Sequence, residues 1–336
     1  MSVVLVSGAG GFVGLPLITQ VAGSGHEVHA LTTNSARAPQ DGVRWHTVDL
    51  FDAPRVERLI DQLAPERLVH LAWCTAHGRF WSDPENVLWV ERSLGLLRAF
   101  ARCGGRRAVL LGTCAEYDWS AAATATSLSE LHSAIVPATL YGVAKDALRR
   151  LACAYAHEQG VELAWARLFL LYGPRESPAR LVPSLIRSLL ARRALTIGDG
   201  ARVRDLMHVD DVAAALAALL DSSLVGPVNV ASGVGVTIGA VVNEITQLVG
   251  GAELVRSGSS AELAGAGSSA DLPRAVSSAE PADAASSAEP RALVADVSRL
   301  RDELGFRPRW SLADGLAATV EWWREHERAL LDQAAV

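Results

Sequence analysis

The sequence predicts an α/β fold, in which a doubly wound parallel sheet is joined to a smaller mixed α/β lobe. In the first half of the chain, short apolar runs alternate with amphipathic segments, as in the β–α units of a parallel sheet. A glycine-rich turn directly follows the first apolar run. After residue 173 the segments become shorter and mixed. We therefore expect one domain over residues 1–173 and a second lobe over residues 174–330, with the chain crossing between them.

The chain opens with a strand, a glycine-rich turn and a helix. Residues 3–6 are an apolar run typical of a buried parallel strand. Gly8, Gly11 and Gly14 follow at the spacing G-x-x-G-x-x-G. Such glycines allow a sharp turn, the approach of a pyrophosphate to the backbone, and close packing of the helix, whose N-terminus attracts phosphate. The order predicts a Rossmann-type dinucleotide-binding domain, and a glycine-rich turn without a ligand is the alternative.

The later elements are marked by apolar runs and by helix caps. Asp52, followed by Pro54, begins one helix, and Gly104 and Gly160 end two others. The predicted strands of the first domain span residues 27–31, 43–48, 67–72, 107–112 and 161–171, and its predicted helices span residues 52–64, 84–103 and 138–159. In the second lobe we expect helices over residues 181–193, 210–221, 238–248 and 311–328, with short strands near residues 195–197, 204–208 and 227–230.

A repeated segment interrupts the second lobe. Ser259, Ser268, Ser277 and Ser286 each begin a Ser-Ser-Ala-(Glu/Asp) unit, so the period is nine residues. The segment has almost no large apolar residue, and it cannot bury enough surface to offset the entropy lost on ordering. We expect residues 257–290 to form a flexible loop. The alternative, a calcium-binding nonapeptide β-helix, requires a Gly-Gly-x-Gly pattern that this repeat lacks.

The composition excludes several classes of protein. The net charge is −6 with acids and bases interspersed, so we expect no nucleic-acid partner and no membrane surface. No apolar run approaches the roughly 18 residues of a spanning helix, and the first residues predict a strand rather than a signal peptide. The four cysteines are scattered without metal or disulfide spacing, which favours a reducing cytoplasm and predicts no metal site.

The strongest chemical pattern is a tyrosine and a lysine on one predicted helix. Of the 31 basic residues only Lys145 is a lysine, which indicates a position that needs a compact ammonium group. Tyr141 lies four residues earlier, on the same helical face. A nearby ammonium lowers the pKa of a phenol, so the pair predicts an acid–base tyrosine. Thr113 ends a predicted strand, where it either donates a hydrogen bond to a substrate oxygen or caps the strand.

These residues resemble those of the extended short-chain dehydrogenase/reductase family, which contains nucleotide-sugar epimerases, dehydratases and reductases. The similarity covers nearly the whole chain and is carried by GAGGFVG at residues 8–14, VDLFD at 48–52, HLAW at 70–73, LFLLYGP at 168–174, RVRDLMHVDDVA at 202–213 and LGFRPRWSLADGL at 304–316. The resemblance implies that Thr113, Tyr141 and Lys145 are catalytic. It also implies a cytoplasmic homodimer that acts on a nucleotide sugar.

The candidate binding residues follow from this resemblance and from the ends of the predicted strands. The cofactor candidates are Gly8, Gly11, Phe12, Val13, Gly14, Thr32, Asn34, Arg37, Asp49, Leu50, Leu71, Ala72, Trp73, Tyr141 and Lys145. The substrate candidates are Thr75, His77, Trp81, Cys114, Ala115, Arg175, Arg180 and Arg204. Core packing is the alternative for the aromatic residues, and a solvated surface charge is the alternative for the arginines.

Departures from the family pattern narrow the expected activity. The family's sugar 4,6-dehydratases carry an Asp-Glu pair directly after the catalytic threonine, whereas Cys114 and Ala115 stand there in this chain. The fucose-synthase type carries a cysteine at the position of Ala115. What remains is hydride transfer at one carbon, which predicts a 4-ketoreductase acting on a nucleotide-activated keto-deoxy sugar. The alternatives are a 4-epimerase that retains NAD and a cofactor-sensing protein without catalysis.

The end of the second predicted strand favours NADP(H) over NAD(H). Family members that use NAD usually have an acid at this point. This chain has Thr32, Asn34 and Arg37 in the same stretch, with no acid among its neighbours. Hydroxyl groups and an arginine suit the 2′-phosphate of NADP(H).

Overall fold

A parallel sheet lies at the centre of the computed structural model, which describes residues 2–34, 39–120, 127–258 and 290–334. Within these residues the sheet has seven strands in the order β10-β6-β5-β4-β1-β2-β3, and each neighbouring pair runs parallel. The strands are β1 (Val3–Ser7), β2 (Glu27–Thr32), β3 (Val43–Thr47), β4 (Arg67–His70), β5 (Arg107–Thr113), β6 (Glu162–Leu168) and β10 (Gly226–Val230).

Helices cover both faces of this sheet, because successive residues of its strands point to opposite sides. Val4 and Val6 of β1 pack on one side with Leu17, and Leu5 packs on the other side with Ile60. The first side is covered by α1 (Gly14–Gly23) and α6 (Val209–Asp221), and the second by α2 (Ala53–Leu63), α3 (Glu85–Arg102) and α4 (Leu140–Glu158). The predicted doubly wound α/β fold is confirmed.

The strand order reverses next to β1, and this reversal locates the ligand crevice. The chain proceeds outward from β1 through β2 to β3, then returns to β4 on the other side of β1. The connections after β1 and β4 therefore lead to opposite sides of the sheet and leave a crevice at the carboxyl ends of the strands. The glycine-rich turn, which follows β1, lies at this point.

A second lobe packs around its own apolar core. It contains a small sheet in which β9 (Val203–His208) pairs with β7 (Leu170–Tyr172), β11 (Gly235–Thr237) and β13 (Ala292–Leu293), and a pair formed by β8 (Leu195–Ile197) and β12 (Val255–Ser257). Its helices are α5 (Leu181–Leu190), α7 (Ile238–Val249) and α8 (Leu312–Ala334). Leu185, Val241 and Leu316 meet in its centre.

The chain crosses between the two lobes more than once. Strand β10 and helix α6 follow residue 173 in the sequence, yet they belong to the large sheet and its core. The predicted strand over residues 161–171 is two strands, because β6 pairs with β5 and β10 whereas β7 pairs with β9. Between them Phe169 is buried in a separate aromatic cluster, and the chain changes sheets there.

The described residues limit what can be said of two expectations, the flexible loop and the absence of a membrane span. The four nonapeptide repeats of the predicted loop over residues 257–290 lie outside the described residues. Among the helices in the described part of the chain, none combines the length and the apolar character that a membrane span requires.

The close packing of α1 on the glycine-rich turn gives a first prediction. A Cβ atom at Gly14 would lie 2.6 Å from the carbonyl carbon of Ala9 and would also meet the carbonyl oxygen of Gly8. We expect Gly14→Ala to lower the free energy of unfolding by about 1–3 kcal/mol, because backbone atoms must move.

The matched control is Gly23→Ala at the other end of the same helix, where a Cβ would meet no atom within 4 Å. We expect this variant to be as stable as the wild type or to gain about 0.5–1 kcal/mol from helix propensity. Urea unfolding followed by circular dichroism compares the two variants. Equal unfolding free energies would contradict the packing argument.

Candidate active site

A cleft of about 570 Å³ lies at the carboxyl ends of the central strands. Its walls come from the turns after β1, β2, β4 and β5, from the first turns of α4, and from the segment between β6 and α5. The cleft brings together the candidate catalytic residues, most of the cofactor candidates and part of the substrate candidates.

The glycine-rich turn forms one end of the cleft. Gly8 has a φ of +70°, and a Cβ there would lie 2.7 Å from the backbone nitrogen of Ala72, in the segment after β4. The amide of Gly11 donates to the carbonyl of Gly8 at 3.0 Å and closes the turn. Phe12 and Val13 line the cleft just before α1 begins. Because the glycines have no side chains, the backbone of this turn is open to the cleft. Such a surface fits the pyrophosphate of a dinucleotide.

The adenosine end of the cleft is lined by the segments that follow β2 and β3. The amide of Asn34 donates to the hydroxyl of Thr32 at 3.1 Å, which fixes the turn after β2. Asp49 and Leu50 line the neighbouring wall, and the Asp49 carboxylate accepts the amide of Phe51 at 2.9 Å. Leu71, Ala72 and Trp73 after β4 continue the surface toward the reacting end, the end of the cleft at which the candidate catalytic residues lie. Arg37 lies outside the described residues.

The three candidate catalytic residues lie together on the wall of the cleft and are nearly buried. Thr113 ends β5, and Tyr141 and Lys145 come from the first two turns of α4. Thr113 also caps a short turn, since its hydroxyl accepts the amide of Ala115 at 3.2 Å. Both sequence interpretations of Thr113, the cap and the cleft residue, therefore describe the same side chain.

Burial dominates the titration of the tyrosine and the lysine. It raises the pKa of Tyr141 above its ordinary value, although a hydrogen bond with Thr113 opposes the shift. It lowers the pKa of Lys145 to about 7. The expected lowering of the Tyr141 pKa by Lys145 is therefore wrong for this structure. The Lys145 ammonium instead donates to the carbonyl of Leu111 at 3.0 Å and lies 3.7 Å from the centre of the Trp73 ring.

Aromatic rings surround Tyr141. Phe80 and Trp81 meet its ring edge to face, with ring centres 5.0 Å and 5.7 Å away, and Trp73 lies at 6.3 Å. Trp81 lines the cleft and also packs in the aromatic cluster around Phe169, so the core-packing alternative is confirmed and its role in substrate binding stays a prediction. The phenol thus sits in an apolar setting, which is the physical origin of its raised pKa.

The substrate candidates divide into two groups. Thr75, Trp81, Cys114 and Arg180 line the cleft. Burial raises the pKa of the Cys114 thiol to about 12, so the thiol is uncharged at neutral pH. Ala115 does not line the cleft, because its carbonyl faces α4 at Gly142. His77 lies near Arg180, whose charge together with burial lowers the pKa of the imidazole, but it is not on the cleft wall.

Two of the predicted substrate arginines lie elsewhere. Arg175 has a φ of +68° and lines shallow depressions near α8 and near the start of α1. Arg204 is fully buried in β9, and its guanidinium donates to the carbonyls of Val203 and Pro290 at 2.8 and 3.2 Å. Arg204 is not on the cleft wall, although its charge reaches the Cys114 thiol and opposes the rise of the thiol pKa that burial causes.

The sequence analysis missed two acids near the reacting end. Glu116 is fully buried and accepts the amide of Thr113 at 2.9 Å, and Glu176 lies on the cleft wall after β7. The spacing Thr-x-x-Glu from Thr113 to Glu116 is that of a capping box, and this signal was available in the sequence. No such local signal marks Glu176, which reaches the cleft only through the fold of the second lobe.

Comparison with known proteins assigns the chain to a family. The model of the NAD dependent epimerase/dehydratase family matches residues 4–231, so the chain belongs to that family. A dTDP-glucose 4,6-dehydratase of Streptomyces griseus is 28% identical over 96% of this chain and 94% of its own length. A UDP-glucose 4-epimerase of Mycolicibacterium smegmatis is 28% identical over 95% of this chain and 98% of its own length.

Solved structures agree with this assignment. MoeE5 in complex with UDP-glucose and NAD is 28% identical, with a TM-score of 0.77 over 96% of this chain and 99% of MoeE5. The UDP-glucose 4-epimerase of Thermotoga maritima has the same TM-score over 97% of this chain and 99% of its own, and at 22% identity it shows the shared fold. The predicted family and the Rossmann-type fold are confirmed, and the chain is an oxidoreductase-type enzyme of the epimerase/dehydratase class.

The positions of Tyr141 and Lys145 give a second prediction. We expect Tyr141→Phe to lower kcat by about 10²–10⁴-fold, because the candidate proton donor is lost while the ring packing remains. Lys145→Arg should cause a similar loss, because the larger planar guanidinium does not fit between Trp73 and the Leu111 carbonyl. The double variant should be scarcely worse than either single variant, since the two residues act as a unit.

The control is Tyr155→Phe, which removes a phenol from the same helix outside the cleft. All variants are assayed with a nucleotide-linked keto sugar, and circular dichroism verifies folding. A normal kcat for Lys145→Arg would remove Lys145 from the catalytic assignment.

Proposed function

We propose that this protein is a nucleotide-sugar 4-ketoreductase. In this reaction a hydride moves from NADPH to the keto carbon of a nucleotide-activated keto-deoxy sugar. The observation that carries the proposal is the chemistry around Thr113. The next two residues, Cys114 and Ala115, are buried and carry no carboxylate, so the acid–base pair expected for water elimination has no counterpart there. Glu116 is engaged in the core by Arg167 at 2.7 Å and does not replace it.

The residues of the cleft support a proton-donor role for Tyr141. The glycine-rich turn and the segment after β4 would hold the cofactor against the reacting end, where it would supply the hydride. Tyr141 donates its proton to the carbonyl oxygen, and Thr113 donates a second hydrogen bond to the same atom. Because burial raises the pKa of Tyr141, the phenol keeps its proton at neutral pH. A protonated phenol suits reduction, whereas an oxidation requires the tyrosine to accept a proton.

We also propose that NADP(H) is preferred over NAD(H). The turn after β2 presents Thr32, Thr33 and Asn34 to the cleft, so no carboxylate in its described part would repel a 2′-phosphate. MoeE5 and other similar structures contain NAD, which favours the opposite choice. The two cofactors therefore have to be compared directly.

A 4-epimerase that retains its cofactor is the second candidate function. It is favoured by the similarity to 4-epimerases over nearly the whole chain. Such an enzyme uses the same tyrosine and lysine, first as a base and then as an acid. Retention of this pair also argues against a cofactor-sensing protein without catalysis.

An assay with reduced cofactor gives the third prediction. Keto-deoxy sugars linked to dTDP, UDP, GDP or CDP are incubated with NADPH or with NADH, and the loss of reduced cofactor is followed by absorbance. We expect one reduced cofactor consumed per sugar, a product with a new hydroxyl group, and a higher kcat/KM with NADPH. The expected rate with Tyr141→Phe is near background.

Two other outcomes would overturn parts of this proposal. Conversion of UDP-glucose to UDP-galactose without net change of cofactor, together with no reduction of keto sugars, identifies the epimerase instead. A higher kcat/KM with NADH leaves the reductase in place and refutes the preference for NADP(H).

We propose that the protein forms a homodimer through α3 and α4. These helices pack side by side on the same face of the sheet. Five large apolar residues on them are exposed: Val87, Leu88, Leu140, Val143 and Leu151. On α4 the exposed positions 140, 143 and 151 follow helical spacing and form a stripe. An apolar stripe of this kind indicates a protein interface.

Sedimentation velocity tests this fourth prediction. We expect the wild type to sediment at twice the chain mass of 35.6 kDa, and the double variant Val143→Glu/Leu151→Glu to sediment as a monomer. Leu131→Glu, at a leucine outside both helices that is even more exposed than Leu151, should leave the dimer intact. A monomeric wild type refutes the interface.

A further inference from the structure

Glu176 is an acid of the cleft wall for which the proposed mechanism has no use. Glu176 is 8% exposed, and its Oε2 atom is buried and has no hydrogen-bond partner among the residues that the structure describes. Burial raises the pKa of its carboxyl group to about 8, although the charge of Arg180 opposes the shift. Leaving a buried carboxyl oxygen unpaired is costly, so the position calls for an explanation.

Other buried acids of the structure have obvious structural partners. Asp211 accepts the amides of Arg309 and Trp310 at 2.9–3.1 Å. Asp205 accepts three backbone amides and the Ser232 hydroxyl. The Oε2 atom of Glu176 has no partner of this kind, and the residue borders a cleft that a substrate enters.

Glu176 belongs to the reacting end of the cleft. The guanidinium of Arg180, four residues later, lies 5.5 Å from the centre of the Phe80 ring, and that ring packs edge to face on Tyr141. The charge of Arg180 also acts on Tyr141, where it opposes the rise in pKa that burial causes, and on His77, whose pKa is lowered by burial and by this charge. Glu176 lies within reach of the Arg180 charge on the same wall, and this places it nearer to the reacting end of the cleft than to the adenosine end.

We propose that Glu176 determines substrate specificity by accepting a hydrogen bond from a ring hydroxyl of the sugar, at a carbon other than the one reduced. This inference rests on the proposed action on nucleotide sugars. The neighbouring guanidinium disfavours a positively charged group of the substrate at this position, so the partner is a neutral hydroxyl rather than an ammonium. A site built to pair a hydroxyl discriminates against the deoxy sugar, because the carboxyl oxygen is then left unpaired.

The test measures binding without turnover, so that it is independent of the reductase activity. Glucose linked to dTDP, UDP, GDP or CDP is titrated against the protein, and the tryptophans of the cleft wall report binding by fluorescence. With the tightest of these ligands, the 2-deoxy and 3-deoxy analogues are then compared on the wild type and on Glu176→Leu and Glu176→Gln. Glu325→Leu, at an exposed acid of α8, serves as the control.

We expect the wild type to bind one deoxy analogue about 10- to 100-fold more weakly than the parent sugar. Glu176→Leu should lose this difference at that carbon alone, and Glu176→Gln, which retains an acceptor oxygen, should restore part of it. A merely structural role would weaken all three ligands equally, and that result overturns the proposal. Equal binding of all three ligands by the wild type overturns it as well.

The reductase assay separates this inference from the proposed function. Discrimination by Glu176 without consumption of reduced cofactor upholds the inference and refutes the reductase. Reduction of keto sugars without discrimination by Glu176 does the reverse. Absence of binding by any nucleotide sugar refutes both.

Discussion

The reacting end of the cleft depends on one buried carboxylate. Glu116 accepts the amide of Thr113, the indole N–H of Trp165 at 3.0 Å and the guanidinium N–H of Arg167 at 2.7 Å. A charge in the core is tolerated only where donors and an opposite charge surround it, and Glu116 has both. Because these donors come from β5 and β6, the carboxylate fixes the end of β5, and with it the position of the Thr113 hydroxyl.

The same polar network extends into the second lobe. Arg167 donates to the Tyr117 hydroxyl at 3.3 Å, and this hydroxyl donates to Asn229 of β10 at 2.8 Å. The side-chain amide of Asn229 in turn donates to the carbonyls of Leu128 and Asp296. Residues from five segments of the chain are thus held by shared hydrogen bonds next to the cleft. A network of this kind is rigid when every member is satisfied, and rigidity is what a hydride-transfer geometry requires.

The cofactor half of the site was predictable from the sequence because it depends on backbone constraints at short range. The glycine spacing that ends at Gly14 and the helical spacing from Tyr141 to Lys145 have the same local geometry whatever the tertiary packing around them. The substrate half was not predictable in the same way. An arginine such as Arg204 is a residue type that commonly binds phosphate. In β9, however, its guanidinium donates to backbone carbonyls. Glu176 reaches the cleft only because β7 leaves the large sheet and pairs with β9. The sequence does not indicate this change, because β6 and β7 form one continuous apolar run.

Burial gives the cleft an unusual electrostatic character. It favours the neutral forms of Tyr141, Cys114 and Glu176, and it lowers the pKa of Lys145 to about 7, so few fixed charges face the reacting end. Dinucleotides and nucleotide sugars bring diphosphate charges with them, and nearby negative charge favours the ammonium form of a lysine. Binding of such a ligand in the cleft would therefore favour the charged form of Lys145.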